Sequence, residues 1–299
     1  MRLDLDPTFD PATAALRRYA ERLYAVRAVL GEAPVLVGPS AAWAHGCEVA
    51  WDDDPVHVNV DSPHGLDHRD GVRVHQSRLS RSDVVLTRFG RTTSLRRTAL
   101  DLACTGPRSL ALGRLDALAR ARPLPLPALV GDAYAARGRR GIRQARELLP
   151  LVDGRAESPR ESMLRLAVHD AGLPHPTPQL EVRDSRGRFV ARLDLGWEEE
   201  RVGLEYDGAA WPGSWPGTRG HLDADVHRRD LRRHNDLREE GWVVFQVDAA
   251  GYRVIDRVLG AVAGALRTRR AGAASRDTPG PAVTEVRLGG RGAATSSPR

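Results

Sequence analysis

Phe189-Val-Ala-Arg-Leu-Asp-Leu-Gly-Trp197, followed after an acidic turn by Arg201-Val-Gly-Leu-Glu-Tyr-Asp-Gly208, is the stretch that decides the fold. Both segments alternate apolar and polar residues with the two-residue period of a half-buried β-strand. The short acidic connection between them predicts an antiparallel hairpin centred on Glu199 and Glu200. A hairpin centred there determines which side chains of the two strands become neighbours.

The polar residues of this hairpin form the first candidate site. Strict alternation predicts that Leu193, Leu195 and Trp197 share one face, with Asp194 on the opposite face. In the second strand, Glu205 is the polar counterpart, and the predicted register brings it directly across from Asp194. Unpaired like charges in that arrangement destabilise a sheet. A bound divalent cation would turn the pair into a site, because Mg²⁺ binds one or two carboxylates together with water and phosphate oxygens.

Length and composition restrict the class of protein. The 299 residues are enough for two ordinary domains, and 41% hydrophobic content suffices for a buried core. The net charge of +6 favours a polyanionic partner such as nucleic acid. All the strong bases are arginine, since the sequence contains no lysine. No apolar run approaches 18 residues, so we expect no transmembrane segment, and we expect no signal peptide. Cys47 and Cys104 lie far apart, which together with these expectations predicts a reduced, cytoplasmic protein without membrane partners.

The pattern along the chain predicts an α/β protein with two domains and a tail. Residues 1–150 read as an α+β domain, in which Pro123–Pro127 is an exposed connector and a helix over 127–149 is interrupted near Gly138. Residues 157–269 read as helix, three strands, helix and strand. Residues 271–299 are rich in small and polar residues and are predicted to be disordered.

The second domain begins with a helix-start signal. In Ser158-Pro-Arg-Glu161, Ser158 is the predicted N-cap, Pro159 occupies the first helical position, and Glu161 is at the third. Glu161 has two readings, as the carboxylate of this capping box or as a further ligand beside the hairpin. It shares a helix face with Leu164 and Val168, which points it inward.

Over about a hundred residues, the region 157–267 resembles the PD-(D/E)XK nuclease superfamily. More closely, it is similar to actinobacterial proteins grouped with very-short-patch-repair endonucleases, the domain-of-unknown-function 559 group. The matching segments are Arg192–Trp197, Gly203–Gly208 and Arg229–Leu237, followed by Gly241-Trp242. The resemblance implies a restriction-endonuclease-like fold and Mg²⁺- or Mn²⁺-dependent cleavage of DNA. It further implies Asp194 as bridging metal ligand, Glu205 as a second ligand, and Glu161 as the residue that completes the site.

The sequence departs from the family pattern at one position. Where the superfamily has Glu-x-Lys, this chain has Glu205-x-Asp207. Asp207 is therefore a candidate catalytic residue, or part of an Asp-Gly turn. With no lysine present, Arg229, Arg233, His221 or His227 would have to stabilise charge. Arginine cannot act as a base near neutral pH.

The long charged helix carries the candidate nucleic-acid contacts. Arg228, Arg229 and Arg232 either contact phosphates or form a solvated face. Arg233 falls near the apolar side of the helix marked by Leu237, and polar groups there need partners. We expect Arg233 to contact the acidic strands, where it either binds phosphates or belongs to an ion-pair network that holds the helix.

The first domain carries a separate resemblance. Its segments Ser40–Gly46, Gly71–Arg78 and Arg91–Ala103 are similar to AbiEi-type antitoxin and transcriptional-regulator proteins of actinobacteria. That resemblance implies a DNA or toxin partner. His45, His57 and His75 do not have a metal-ligand spacing, and we expect them to be core or surface residues.

Three hypotheses follow. The first is a metal-dependent endodeoxyribonuclease in which Asp194 and Glu205 hold Mg²⁺ and Glu161 assists. The second is a non-catalytic antitoxin or transcriptional regulator that uses a degenerate nuclease fold to bind DNA or a toxin. The third is a structural module whose acidic cluster pairs with Arg233 and Arg192. Metal affinity separates the first from the others, and a salt-sensitive, metal-independent DNA complex supports the second.

Overall fold

A computed structural model describes residues 11–47, 54–61, 71–207, 224–274 and 286–287. The contacts divide the chain into two compact units, Met1–Met163 and Leu164–Arg299. Both units combine helices with a mixed five-stranded sheet, which confirms the predicted α/β class. None of the described helices combines enough length with enough hydropathy to cross a bilayer.

The first unit has five strands and a succession of helices. Its strands are β1 (Val35–Leu36), β2 (Val56–Asn59), β3 (Val72–His75), β4 (Val84–Thr87) and β5 (Gly90–Thr93). Its helices are α1 (Pro11–Leu30), α2 (Gly38–Ala44), α3 (Leu95–Ala103), α4 (Arg108–Ala121), α5 (Leu126–Ala135) and α6 (Ile142–Leu148). A further helix, α7 (Pro159–Asp170), runs across the division between the units.

The sheet of the first unit has the order β3-β2-β1-β5-β4. β1 is antiparallel to β2 and parallel to β5, and its two residues are both buried. Tyr19 and Leu23 of α1 pack on this sheet with Trp43 of α2 and Phe89. The core is therefore built from aromatic rings in van der Waals contact, with Trp43 and Phe89 centroids 5.1 Å apart.

Of the sequence expectations for this unit, one is confirmed and one is partly wrong. Separately, Ser94 is the N-cap of α3, and its hydroxyl accepts from the Arg97 N–H at 3.3 Å. The interruption near Gly138 is confirmed as the loop between α5 and α6. The connector Pro123–Pro127 is wrong at its end, because α5 begins at Leu126; Pro127 is tolerated there because the first turn of a helix has no internal N–H partner.

The second unit has the sheet order β10-β9-β8-β7-β6. Its strands are β6 (Thr177–Arg183), β7 (Phe189–Trp197), β8 (Val202–Tyr206), β9 (Val243–Val247) and β10 (Val286–Arg287), and its helices are α8 (Ala224–Glu239), α9 (Ala249–Tyr252) and α10 (Ile255–Ala274). β6, β7 and β8 are antiparallel neighbours, whereas β8, β9 and β10 run parallel. The predicted order of helix, three strands, helix and strand is present.

Helices cover both faces of this sheet. On one face, Leu164 and Val168 of α7 and Val262 of α10 pack against β7, β8 and β9. On the other, Leu237 of α8 packs against β6, β7 and β9, together with Trp242. We name these the α7/α10 face and the α8 face.

The predicted disordered tail is wrong at its start. α10 extends to Ala274, so residues 271–274 are helical, and Val286–Arg287 pairs in parallel with β9. The rest of that stretch lies outside the described residues.

Two of the three histidines form a pair in the first sheet. His57 of β2 and His75 of β3 stack with ring centroids 5.1 Å apart, and His57 Nδ1 lies 2.9 Å from His75 Nε2. One ring must donate and the other accept, so a proton on both would set two donors against each other. Burial, then the neighbouring histidine, lowers the pKa of His57 from 6.5 to about 3, and burial also lowers the pKa of His75.

We predict that this pair makes the first unit less stable in mild acid. Below pH 6.5 the unfolded chain binds protons that the folded histidines do not, so the free energy of unfolding falls as the pH falls from 6.5 towards the lowered pKa of His57. Urea denaturation between pH 7.5 and about 5 should show this fall. In a His57→Gln, His75→Gln double variant the slope should be shallower; equal slopes would contradict the prediction.

Candidate functional site

The β7–β8 hairpin has the predicted register. Leu195 pairs with Leu204, and Trp197 pairs with Val202, so the connection is centred between Glu199 and Glu200. The turn is held to α10 by Arg270, whose Nε donates to Glu200 at 2.5 Å. Continuing the register by one residue brings Asp194 opposite Glu205, as expected from the sequence.

The predicted alternation in β7 is wrong on one side of Asp194. Leu195 belongs to the core of the α7/α10 face, whereas Leu193 belongs to that of the α8 face. A Cβ added to Gly203 would lie 2.9 Å from Leu193 Cδ1, which places Leu193 over the glycine of the neighbouring strand. Leu193, Leu195 and Trp197 therefore do not share one face.

The residue at this level of the neighbouring strand has an unusual backbone conformation. Pro178 pairs with Leu195 and Leu180 with Leu193, so Gln179 stands at the level of Asp194. Gln179 has a φ of 53°, in the left-handed region that non-glycine residues rarely adopt. The change of face in β7 therefore lies beside an irregular residue of β6.

Asp194 bonds to the backbone of the neighbouring strand. Its Oδ2 accepts the N–H of Tyr206 at 2.8 Å, just beyond the last backbone pair of the hairpin. The carboxylate thus takes the place of a backbone carbonyl at the end of the ladder. This bond holds the half-buried Asp194 beside β8, the strand that bears Glu205.

Glu205 is a buried carboxylate with an arginine partner. Its side chain is only 9% exposed, and Oε1 accepts from Nη2 of Arg233 on α8, whose side chain is 32% exposed. The sequence prediction that Arg233 contacts the acidic strands is confirmed. A buried carboxylate needs a charged or hydrogen-bonding partner, and α8 supplies one.

A second polar contact lies beside this one and was missed. Gln246 of β9 pairs with Glu205 in the parallel β8–β9 ladder, and its Nε2 lies 2.7 Å from Nε2 of His234, the residue after Arg233. The available signal was a single polar residue within the apolar strand Val-Val-Phe-Gln-Val. One helix therefore contacts two neighbouring strands through consecutive side chains, and the site gains an amide and an imidazole.

Asp207 and Glu161 are placed differently from this pair. Asp207 is exposed just after β8, and its N–H donates to Val247 O at 2.8 Å. Glu161 belongs to the first unit, whereas Asp194 and Glu205 belong to the second.

Glu161 acts as a capping residue in the structure. Its N–H donates to Oγ of Ser158 at 3.2 Å, as the predicted capping box requires. Its Oε2 accepts the N–H of Glu157 at 2.8 Å, one residue before the N-cap, so the box closes one position earlier than predicted. Glu161 is only 8% exposed.

Of the arginines of α8 that are candidate phosphate contacts, the structure describes the side chains of some and only the backbone of others. Arg232 is exposed on α8. Arg228 and Arg229 lie in the part of α8 for which only the backbone is described, as does His227, and His221 lies outside the described residues.

Carboxylate oxygens are the donors that Mg²⁺ and Mn²⁺ prefer, so the chemistry of Asp194 and Glu205 fits either ion. Within the described ranges, no group of three or more His, Cys, Asp or Glu side chains has a metal-binding arrangement. Among the residues predicted for this site, Asp194 and Glu205 are brought opposite each other by the strand register, and Glu205 would hold a metal in competition with Arg233.

Two curated relatives match part of the chain. The uncharacterized proteins MT2308 and Rv2248 of Mycobacterium tuberculosis (strains CDC 1551 / Oshkosh and ATCC 25618 / H37Rv) are each 35% identical over 177 residues, which is 59% of this chain. The match spans 61% of the length of each relative. No family model and no solved structure matches the chain.

We predict that Arg233 and Glu205 are energetically coupled. Arg233→Leu should lower the free energy of unfolding by about 1–3 kcal/mol, because Glu205 is left buried without its charged partner. In the Arg233→Leu, Glu205→Leu double variant the loss should be smaller than the sum of the two single losses. Urea denaturation of the four proteins measures this coupling.

The matched control is Arg232→Leu, one residue away on the exposed side of α8. Its effect should stay within about 0.5 kcal/mol. Additive losses in the double variant, or an equal loss in the control, would contradict the pairing.

Proposed function

We propose that the second unit is a Mg²⁺- or Mn²⁺-dependent nuclease module that hydrolyses DNA phosphodiesters. The single observation that supports this most is the pair of carboxylates on adjacent strands. Asp194 is held by the Tyr206 N–H, and the hairpin register brings it opposite Glu205. The order of strands and helices agrees with the restriction-endonuclease-like arrangement that the sequence resemblance implies.

The residues have separate roles in this proposal. Asp194 and Glu205 would hold the metal. When bound, the metal would polarise the phosphoryl oxygens and lower the pKa of water. Asp207, exposed at the end of β8, is a candidate to orient water or a substrate group from that strand end.

The chain has no lysine, so the positive charge beside the two carboxylates would have to come from Arg233. A guanidinium stays protonated near neutral pH, so it cannot remove a proton from water. It can hold a phosphate oxygen bidentately. When a cation occupies Glu205, the displaced Arg233 would bind the negative charge of the phosphate. Arg228, Arg229 and Arg232, on the same helix, would contact neighbouring phosphates.

One contact favours a second candidate function, a non-catalytic antitoxin or transcriptional regulator that binds DNA or a toxin. The Glu205 carboxylate already has a cationic partner in Arg233, so the acidic pair is stable without a metal. In that case the ion pair holds α8 on the sheet, and the arginines of α8 bind a polyanion without chemistry.

We predict that Mg²⁺ or Mn²⁺ supports cleavage by the wild type on a panel of plasmid, single-stranded and mismatched DNA. Asp194→Asn should lower the rate by about 10²–10³-fold, the scale of losing one charge-stabilising group. The amide oxygen can still accept from Tyr206, so the variant separates lost charge from lost folding. Glu205→Gln should have a similar effect.

The control is Glu181→Gln, on β6 of the same sheet, where the carboxylate pairs with Arg183 at an exposed position. It should retain the wild-type rate. Metal-dependent cleavage that persists in Asp194→Asn would contradict the proposed site. No cleavage by the wild type, together with metal-independent DNA binding, would favour the regulator.

A further inference from the structure

The loop between α5 and α6 in the first unit is a concentrated source of positive charge. The segment Ala135-Ala-Arg-Gly-Arg-Arg-Gly-Ile-Arg-Gln-Ala-Arg146 contains five arginines and no acidic residue. Two of the five arginines bind other parts of the first unit and hold the loop in place. The other three are exposed to solvent.

Arg146 and Arg139 hold the loop. Nε of Arg146 donates to Ala133 O at 2.8 Å and its Nη2 to Ala136 O at 2.9 Å, so this side chain binds carbonyls at the end of α5. These are carbonyls that the end of a helix leaves unpaired. Arg139 donates to Asp101 of α3. Both ends of the loop are thereby attached to the helices around it.

The backbone of the loop is closely packed as well. Gly141 has a φ of 77°, and a Cβ at this position would lie 1.9 Å from the carbonyl oxygen of Cys104. The adjacent Ile142 is only 8% exposed. Only glycine fits at position 141, and this close approach packs the loop against the end of α3.

Arg137, Arg140 and Arg143 are the outward set, which we call the arginine triad. All three are exposed, and their guanidinium groups make no ion pair or hydrogen bond with any part of the chain that the structure describes. They recur at every third residue, with Arg137 and Arg140 in the loop and Arg143 in the first turn of α6. Their charges are therefore available to a partner.

Nearby acidic residues do not neutralise the triad. Asp132 is the acidic residue of α5 and Glu147 that of α6, and Asp101 lies on α3. Each of the three already has an arginine partner outside the triad. Those partners are Arg96 for Asp132, Arg108 for Glu147, and Arg97 with Arg139 for Asp101.

We propose that the arginine triad is a contact surface for the phosphate backbone of duplex DNA. Guanidinium groups bind phosphate oxygens bidentately, and a loop that is already ordered loses little conformational freedom on binding. Contacts of this kind position a protein on the duplex without reading its sequence. The first unit thus binds DNA through the loop that interrupts the helix predicted over 127–149.

The choice of DNA rather than RNA rests on the proposed function, whereas the phosphate contact itself does not. Binding is therefore measured in EDTA, which removes the metal that cleavage would need. The measurement then tests phosphate binding by the triad independently of the proposed nuclease activity. A triad variant that loses binding while Asp194→Asn retains it supports the triad even if no nuclease activity is found.

The test is the salt dependence of binding to a duplex DNA of mixed sequence, for the wild type and for Arg137→Gln, Arg140→Gln, Arg143→Gln together. Loss of three phosphate contacts should reduce the slope of log K against log salt by about 2.7. Affinity should fall equally for duplexes of unrelated sequence. Thermal unfolding checks that the variant is folded.

A scattered control removes the same net charge elsewhere. Arg17, Arg186 and Arg257 are exposed and lie on α1, in the β6–β7 turn and on α10. Their triple glutamine variant should keep at least two thirds of the wild-type slope. Equal losses in both triple variants, no DNA binding by the wild type, or tighter binding to a duplex RNA of the same length would each overturn the proposal.

Discussion

The hydrogen bond from the Tyr206 N–H to the Asp194 carboxylate holds the β7–β8 hairpin together at the level where its regular pairing ends. Between this bond and the turn, the backbone pairs of Leu195 with Leu204 and of Trp197 with Val202 set the register. At Tyr206, the Asp194 side chain replaces the backbone carbonyl as acceptor. The bond lies at the level where β7 changes face, between Leu193 of one core and Leu195 of the other. Helices thus cover both faces of the sheet while the Asp194 carboxylate stays beside β8 within it.

The position of helix α8 depends on the side chains that the sheet places on the α8 face. Leu193 and Val244 supply an apolar surface for Leu237, and Glu205 and Gln246 supply polar partners for Arg233 and His234. The helix therefore combines burial of a leucine with two directed polar contacts. Burial gives affinity without direction, whereas an ion pair and a hydrogen bond determine which turn of the helix lies over which strand.

The hairpin and the Arg233 contact could be predicted from the sequence because both follow from simple periods. A short connection between two alternating strands leaves few possible registers, and helical phase places Arg233 on the side of Leu237. The change of face at Asp194 could not be predicted, because no period in the sequence marks it or the left-handed backbone of Gln179 in the strand beside it.

Other features left even weaker signals. Strands as short as β1, with two residues, are defined by their neighbours and show no period of their own. Gln246 was one polar residue in an apolar strand, and only the position of His234 reveals its partner. No role could be assigned to the arginine triad from the sequence, because an arginine-rich loop is also typical of an ordinary solvated surface. The structure adds that the surrounding acidic residues have other arginine partners.

In the proposed metal site, the ion pair between Arg233 and Glu205 would compete with the incoming cation. The apparent affinity for the cation would be reduced by the fraction of molecules in which the pair is open. Because the cation has to replace a charged group, a divalent ion would compete better than Na⁺ or K⁺. An anionic substrate that draws Arg233 away from Glu205 would raise that affinity, so the two ligands would favour each other's binding.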